Sequence, residues 1–209
     1  KYDGKTVGSI SDYTMFSFQA IKHITTGDGG MVTFKKSDET FERAKKLRWF
    51  GIDRSAKQKG IWENDIKDIG YKYQMNDISA SMGIASLNTF DLILRQRKLL
   101  LSRYFENLSD YKRVTLVGNN MNKDYEHAAW LITIYVDVDR VGLMNKLRKN
   151  NIESAQVHYR NDRYSIFGGR QESFMNMDQV ENRYLVLPLH PKMSILDVDR
   201  VCEVIKSGW

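Results

Sequence analysis

The stretch that decides the fold is YTMFSFQAIKHITTGDGGMV, residues 13–32. Its first six residues form an aromatic and apolar run, which predicts a buried strand. A polar loop carrying Lys22 follows, and the GDGG of residues 27–30 lets the chain reverse without a Cβ clash. Residues 31–34 are apolar again and predict a second strand. The pattern therefore indicates a β-hairpin that holds one lysine in its loop.

Two interpretations of Lys22 are open from these residues alone. In the first, a surface hairpin happens to carry a lysine in its loop, and local chemistry by itself favours this one. In the second, Lys22 is a Schiff-base lysine, an amine on a flexible stem that rigid strands hold in place for covalent chemistry on a carbonyl.

Three further blocks follow the lysine segment, which runs from Ser17 through Lys22 to the TTGDGG of residues 25–30. They are LRWFG at 47–51, GYKYQMNDISASMGIASL at 70–87, and PLHPKMSILDV at 188–198. Together and in this order, the four blocks resemble those of the DegT/StrS-type pyridoxal-phosphate (PLP) sugar aminotransferases. One glycine motif would be a weak signal, whereas four ordered blocks covering most of the chain are specific.

The resemblance implies an α/β protein with the aspartate-aminotransferase-like fold of PLP-dependent transferases. Residues 1–105 would be the C-terminal part of the large PLP-binding domain, including an interdomain helix, and residues 106–209 would be the small C-terminal α/β domain. The chain begins at Lys1 and not at a methionine. We therefore expect a longer enzyme, whose upstream part carries the partner of the pyridinium nitrogen and the aromatic residue that stacks on the ring. By itself, the chain is expected to show no appreciable aminotransferase activity.

The resemblance also implies roles for residues of the lysine segment. Lys22 would be the catalytic residue, binding pyridoxal 5'-phosphate covalently and, once freed, moving a proton between the amino donor and the cofactor. Ser17 would hydrogen-bond the cofactor phosphate. The alternative is that its hydroxyl, at the end of the strand, only hydrogen-bonds the backbone. Sugar dehydratases of the family carry histidine in place of the lysine. Because Lys22 is intact and His23 is only the next residue, the sequence favours an aminotransferase.

A third cofactor contact is implied at Lys72, in the block GYKYQMND. Many family members carry an asparagine there, which reaches across a dimer interface to the PLP phosphate of the other subunit. A lysine can make the same contact with a full charge, although a lysine that only faces solvent is equally compatible. The resemblance thus implies a homodimer with shared active sites.

The segment VHYRNDRY, residues 157–164, resembles the family segment that lines the sugar-nucleotide site. His158 and Tyr159 match it, and Arg163 stands where a later histidine is found. Arg160 and Arg163 suit a diphosphate and sugar hydroxyls. For His158, the alternative is a histidine that only hydrogen-bonds neighbouring groups of the chain. These four residues are the expected substrate-binding set.

The reaction implied is transfer of an amino group from glutamate or glutamine to a keto sugar nucleotide, in amino-sugar biosynthesis for polysaccharides or secondary metabolites. The alternatives are a sugar dehydratase of the same fold and a non-catalytic fragment that acts as an interaction protein.

Composition is that of a globular protein, with 42% hydrophobic and 28% charged residues among 209. The net charge of +6 raises two possibilities, nucleic acid or a phosphorylated small ligand. Because the basic residues are scattered among acids, we expect no nucleic-acid partner. No apolar run approaches 18 residues and no signal peptide is present, so we expect a cytoplasmic protein without a membrane span. Its single cysteine, Cys202, excludes an intrachain disulfide and a cysteine-based zinc site, and no metal is expected.

Helical patterns fill the middle of the chain. Ser37 is predicted to cap a helix that ends at Gly51, and the polar residues 52–69 predict a long loop. Asn76 is predicted to cap one helix that runs to about Leu108. Its core-facing side is predicted to consist of Ile78, Met82, Ala85, Thr89 and Leu92.

Strand and helix patterns alternate in the last hundred residues. Strands are predicted at 113–117, 129–138 and 152–159, with helices at 139–150 and 194–207. Ser194 is the predicted cap of the last helix. This order predicts a βαβ-type unit and a mixed α/β class.

Overall fold

A computed structural model describes residues 1–63, 65–118, 125–171 and 173–209. The chain forms two compact units, Lys1–Phe90 and Asp91–Trp209. The predicted assignment of a large-domain part and a small domain, with a boundary near residue 105, stays a prediction.

The first unit opens with the predicted hairpin. Strand β1 (Tyr13–Ser17) pairs antiparallel with β2 (Gly30–Phe34), and Ser17 lies opposite Gly30. A Cβ on Gly30 would lie 2.7 Å from the carbonyl oxygen of Phe16, so glycine permits the close approach that ends the ladder. The hairpin prediction is confirmed.

The prediction that β1 is buried is wrong for the described chain. Four of its five residues are exposed, and Met15 keeps 79% of its surface accessible. The physical reason is that a two-stranded ribbon has no second layer of its own to cover an apolar face.

Three helices follow in the first unit: α1 (Glu39–Leu47), α2 (Arg54–Gln58) and α3 (Asp77–Asn88). Asp38, not Ser37, caps α1, because its carboxylate accepts from the backbone N–H groups of Thr40 and Phe41 at 3.0 and 3.2 Å. Helix α1 also ends earlier than predicted, since Phe50 has a φ of 56°.

Helix α2 lies inside the predicted loop of residues 52–69. Asp53 nucleates it by accepting a hydrogen bond from the Ala56 N–H at 3.1 Å. The loop prediction therefore missed one short helix.

The single long helix predicted from Asn76 to Leu108 is two helices, α3 and α4 (Phe90–Leu108). Asn76 caps α3 as predicted, accepting from the Ser79 N–H at 2.9 Å. Thr89 separates the helices with φ −105° and ψ 0°, and its hydroxyl donates to the Ser86 carbonyl at 3.1 Å. Local bonding of this kind competes with helical bonding.

The apolar face predicted to point into the core along these helices is exposed. Ile78 and Leu92 retain 76% and 63% of their surface, and α3 contains no buried residue. Helical periodicity identified an apolar stripe correctly, but the described residues leave it uncovered.

The second unit contains a three-stranded sheet and three helices besides α4. Strands β3 (Val114–Leu116), β4 (Ile132–Val136) and β5 (Tyr184–Leu187) pair in that order, both times antiparallel. The helices are α5 (Arg140–Lys149), α6 (Met175–Val180) and α7 (Ile195–Lys206). The predicted positions of β3, β4, α5 and α7 are confirmed.

Two predictions for this sheet are wrong. Residues 152–159 form no strand, only an isolated bridge between Ala155 and Val186, and the antiparallel order excludes a βαβ unit. The third strand is instead β5, whose four residues are all buried. A fully buried strand lacks the alternation by which strands are found in sequence.

The core of the second unit lies between its sheet and helices α4, α5 and α7. Tyr104 is fully buried, and its hydroxyl donates to the Pro188 carbonyl at 2.8 Å. Cys202 is buried in α7, and this burial raises the pKa of its thiol to about 11. Ser194 and Asp197 form the capping box of α7.

Candidate active site

Lys22 lies in the loop that joins β1 to β2, residues 18–29, here called the lysine loop. The hairpin ladder continues into this loop, because the Phe18 N–H donates to the Gly29 carbonyl at 2.9 Å and the Thr26 N–H donates to the Phe18 carbonyl at 3.0 Å. Lys22 is half-buried, and its own N–H donates to the Gln19 carbonyl at 2.9 Å. The backbone that carries the amine is therefore fixed by hydrogen bonds.

Two threonines attach the lysine loop to helix α3. The Thr25 N–H donates to the Ser86 hydroxyl oxygen at 3.1 Å, across 61 residues of sequence. Thr26 is buried, and a Cβ on Gly83 would lie 2.9 Å from its methyl carbon. Glycine at 83 thus lets the helix approach the loop closely.

These supporting residues were not singled out from the sequence. They lie inside the quoted blocks TTGDGG and SMGIASL, but only the fold shows that the two blocks touch. His23, next to Lys22, packs edge-on against Phe90 at 6.5 Å between ring centroids.

Ser17 and Lys72, the other predicted cofactor residues, are both exposed. The Ser17 hydroxyl oxygen, at the end of β1, accepts a long hydrogen bond of 3.4 Å from the Gln19 N–H. The Lys72 ammonium lies 5.3 Å from the Trp49 ring centroid and 5.8 Å from that of Phe50.

The chemistry of these three residues fits PLP. An amine suits the aldehyde of the cofactor, and a hydroxyl and an ammonium suit its phosphate. The lysine loop is compact, since a Cβ on Gly29 would lie 2.9 Å from the Thr26 hydroxyl oxygen. The cofactor roles of Lys22, Ser17 and Lys72 nevertheless stay predictions.

In the second unit, His158 and Tyr159 are exposed on a turn. His158 has a φ of 63°, and its carbonyl accepts a hydrogen bond from the hydroxyl of the buried Tyr184 at 2.8 Å. The guanidinium carbon of Arg163 lies 5.3 Å from the Tyr159 ring centroid. The structure thus brings three of the four predicted substrate residues to one exposed turn, with Tyr184 holding it from inside.

Arg160 differs from the other three because it is buried. Every nitrogen of its guanidinium donates a hydrogen bond: two go to the Asp162 carboxylate at 2.6 Å each, and others reach Glu181 at 3.1 Å, Asp178, and the Gln171 carbonyl. These bonds lower the pKa of Asp162 to about 2. Contact of Arg160 with substrate would require this network to open, and its predicted role stays untested.

No helix in the described ranges is long and apolar enough to cross a membrane. Within the same ranges, no group of three or more His, Cys, Asp or Glu side chains could hold a metal ion.

The order of these elements and the lysine loop define an α/β chain of the PLP-dependent transferase type. The chain belongs to the DegT/DnrJ/EryC1/StrS aminotransferase family, which it matches over residues 1–206.

Similar proteins agree with this assignment. The chain is 30% identical to GDP-perosamine synthase of Escherichia coli O157:H7, over all of this chain and 55% of that protein. It superposes on the sugar aminotransferase CalS13 of Micromonospora echinospora with a TM-score of 0.91 and 29% identity, over all of this chain and 55% of that one. It also superposes on the PLP form of the putative sugar aminotransferase Spr1654 of Streptococcus pneumoniae, with a TM-score of 0.87 and 28% identity, over 99% of this chain and 54% of that one.

The chain thus spans about half the length of the curated relatives that it matches. The predictions of family, of fold class and of PLP as the family's cofactor are confirmed.

Proposed function

We propose that the protein containing this chain is a PLP-dependent aminotransferase that moves an amino group from glutamate or glutamine to a keto sugar nucleotide. The observation that carries the proposal is a half-buried lysine, Lys22, held in a hydrogen-bonded loop of a chain that matches the family over residues 1–206. The intact lysine supports this activity over the sugar dehydratase. The names of the relatives give no support to a non-catalytic interaction protein.

When bound, PLP supplies an aldehyde that takes up and passes on the amino group. The Lys22 amine would hold the cofactor between turnovers and, once displaced, would move the proton at the α-carbon of the donor. Thr25 and Thr26 keep the loop backbone in place, which restricts the positions that the Lys22 amine can take. The Ser17 hydroxyl and the Lys72 ammonium would bind the phosphate.

The turn in the second unit would bind the sugar nucleotide. Tyr159 and Arg163 lie together on its exposed side and would provide an aromatic surface and a cation for the diphosphate. Arg160 and Tyr184 would position this turn through their contacts with Asp162 and with the His158 carbonyl.

The proposal includes a homodimer in which Lys72 serves the site of the partner subunit, and a cytoplasmic location. Residues 1–105 would then belong to the large PLP-binding domain and residues 106–209 to the small one. Amino-sugar biosynthesis for polysaccharides or secondary metabolites is the corresponding role.

The test uses the whole protein, incubated with PLP. We expect a visible absorption band that borohydride shifts, with the reduced cofactor found on Lys22 by peptide mass spectrometry. Glutamate and a keto sugar nucleotide should then give an amino-sugar product. Absence of the band, or modification of another lysine, would contradict the proposal.

The shared site is tested by mixing two inactive variants, Lys22→Ala and Lys72→Glu. In heterodimers, one of the two sites has both residues unchanged, so part of the activity should return. No recovery in heterodimers shown to form would mean that Lys72 does not act across the interface.

A further inference from the structure

A small polar cleft lies in the first unit, between α1, the start of α2 and the segment that leads into α3. We call it the basic cleft. Its volume is about 230 Å³. The residues used below are the cations Lys45, Lys46, Arg48 and Arg54 together with Gln74, all of which line it.

The charges of the basic cleft are only partly neutralised. Lys45 pairs with Glu42 at 3.0 Å, and Lys46 pairs with Asp53 at 3.3 Å. Arg48 and Arg54, in contrast, form no ion pair with any carboxylate in the part of the chain that the structure describes. Glu42 and Asp53 also line the cleft, and their pairs with Lys45 and Lys46 leave two guanidinium groups there without an ion pair.

The position of Arg54 is set by an aromatic contact and not by an acid. Its guanidinium carbon lies 4.9 Å from the centroid of the Trp49 ring. The Lys72 ammonium lies 5.3 Å from the same centroid. A third cation therefore adds to the positive potential beside the cleft, and this concentration of charge favours an anion.

Gln74 provides a second and different signal. Its side-chain oxygen is buried and has no hydrogen-bond partner among the described residues. A buried acceptor of this kind costs free energy until a donor reaches it. The donor that suits this position is a hydroxyl group of a ligand in the cleft, since Gln74 lines it.

We propose that the basic cleft binds a sugar phosphate through its phosphate group and one hydroxyl. Arg48 and Arg54 would take the phosphate oxygens, because a planar guanidinium donates two parallel hydrogen bonds to such oxygens. A sugar hydroxyl would donate to the Gln74 side-chain oxygen. The ligand contacts of this site use neither Lys22 nor the exposed turn around His158, and Lys72, which does not line the cleft, adds only its charge beside it.

The experiment is isothermal titration of the whole protein, saturated with PLP, with three probes: ribose 5-phosphate, inorganic phosphate and ribose. Ribose 5-phosphate should bind more tightly than inorganic phosphate, and ribose should not bind. The double variant Arg48→Gln/Arg54→Gln should weaken binding of both anions at least about tenfold, since it removes the charge-assisted bonds.

The matched control is Lys5→Gln/Lys59→Gln, which removes the same charge from exposed positions of the same unit outside the cleft. Its affinities should stay within about twofold of the unmodified protein, because screened surface charges contribute little. An equal loss of affinity in the control would mean that the anions respond only to the overall charge of the protein, and it would overturn the proposal. Unchanged binding in the arginine variant would place the anion elsewhere and overturn it too.

Gln74→Leu tests the hydroxyl contact. It should weaken ribose 5-phosphate severalfold and leave inorganic phosphate unchanged, and equal effects on both probes would reject this contact. Circular dichroism of each variant excludes misfolding, and Arg48→Lys/Arg54→Lys, which keeps the charge but not the paired donors, should bind with intermediate affinity. These experiments measure only ligand affinity at the basic cleft. A negative result would therefore leave the Lys22 test of the proposed function unaffected.

Discussion

The two units of this chain use their apolar side chains in opposite ways. Every buried hydrophobic residue among those described lies in Asp91–Trp209, where a sheet and three helices enclose a core. In Lys1–Phe90, comparable apolar residues such as Met15 and Ile78 are exposed. Hydrogen bonds link elements of the first unit, for instance from the Thr25 N–H to the Ser86 hydroxyl oxygen. Periodicity thus predicts which face of an element is apolar, but not what covers that face.

The largest expected effect comes from Lys22→Ala in the whole protein. Under the proposed function it would remove the covalent attachment point and the proton-transfer group together, so transamination should fall by more than about 10³-fold. The thermal midpoint should change little, because the side chain is only half-buried. Turnover assays with glutamate and differential scanning calorimetry measure the two effects. Retained turnover would move the chemistry away from the first unit.

A pair of truncations tests the comparison directly. Leu143→Ala, in the core of the second unit, should lower the free energy of unfolding by about 2–5 kcal/mol. Ile78→Ala, on the exposed face of α3, should change it by less than about 0.5 kcal/mol. Denaturant titrations of both variants provide the measurement. A large effect at Ile78 would show that this face is covered in the whole protein.

The buried network of Arg160 should make the second unit sensitive to acid. Asp162 titrates at about 2 in the folded chain and near its ordinary value of 3.8 when unfolded, so it stabilises the fold above about pH 4 and loses this contribution as the pH falls toward 2. Thermal midpoints measured across this range should drop. Asp162→Asn should have a lower midpoint at neutral pH and a flatter pH profile. An unchanged profile would mean that another group dominates the transition.

Small effects are expected at the helix caps. Ser194→Ala should destabilise the second unit by about 1 kcal/mol, because the N–H of Asp197 loses its acceptor. Asn76→Ala removes an equivalent bond from α3, but we expect it to raise only local amide exchange there, since α3 has no buried residue. Hydrogen exchange by mass spectrometry separates the two outcomes. Global destabilisation by Asn76→Ala would contradict the contrast between the units.

Local signals predicted much of this fold. The hairpin follows from apolar runs on both sides of GDGG, and the caps Asn76 and Ser194 follow from residue type and spacing. Strand β5 and the antiparallel order were missed because strand pairing is a long-range choice that a short apolar segment does not encode. The break at Thr89 was missed because the apolar pattern continues through it.

The candidate site shows the same division. Lys22 was singled out by the resemblance of four ordered blocks and not by its loop alone, and the structure places it in the predicted loop between two strands. The buried ion-pair network of Arg160 could not be foreseen from the sequence, because Asp178 and Glu181 lie 18 and 21 residues away. Both follow the start of α6, a helix that the sequence did not predict. Whether an arginine such as Arg160 is neutralised by carboxylates thus depends on the fold and cannot be deduced from the motif that contains it.

The buried position of Cys202 makes its thiol a natural probe for transient opening of the second unit. The thiol is buried in α7 and its pKa is raised to about 11, so at neutral pH it is both inaccessible and protonated. A maleimide can therefore react with it only while α7 is transiently open. The labelling rate of this one thiol would measure how often the core is exposed, without any engineered cysteine.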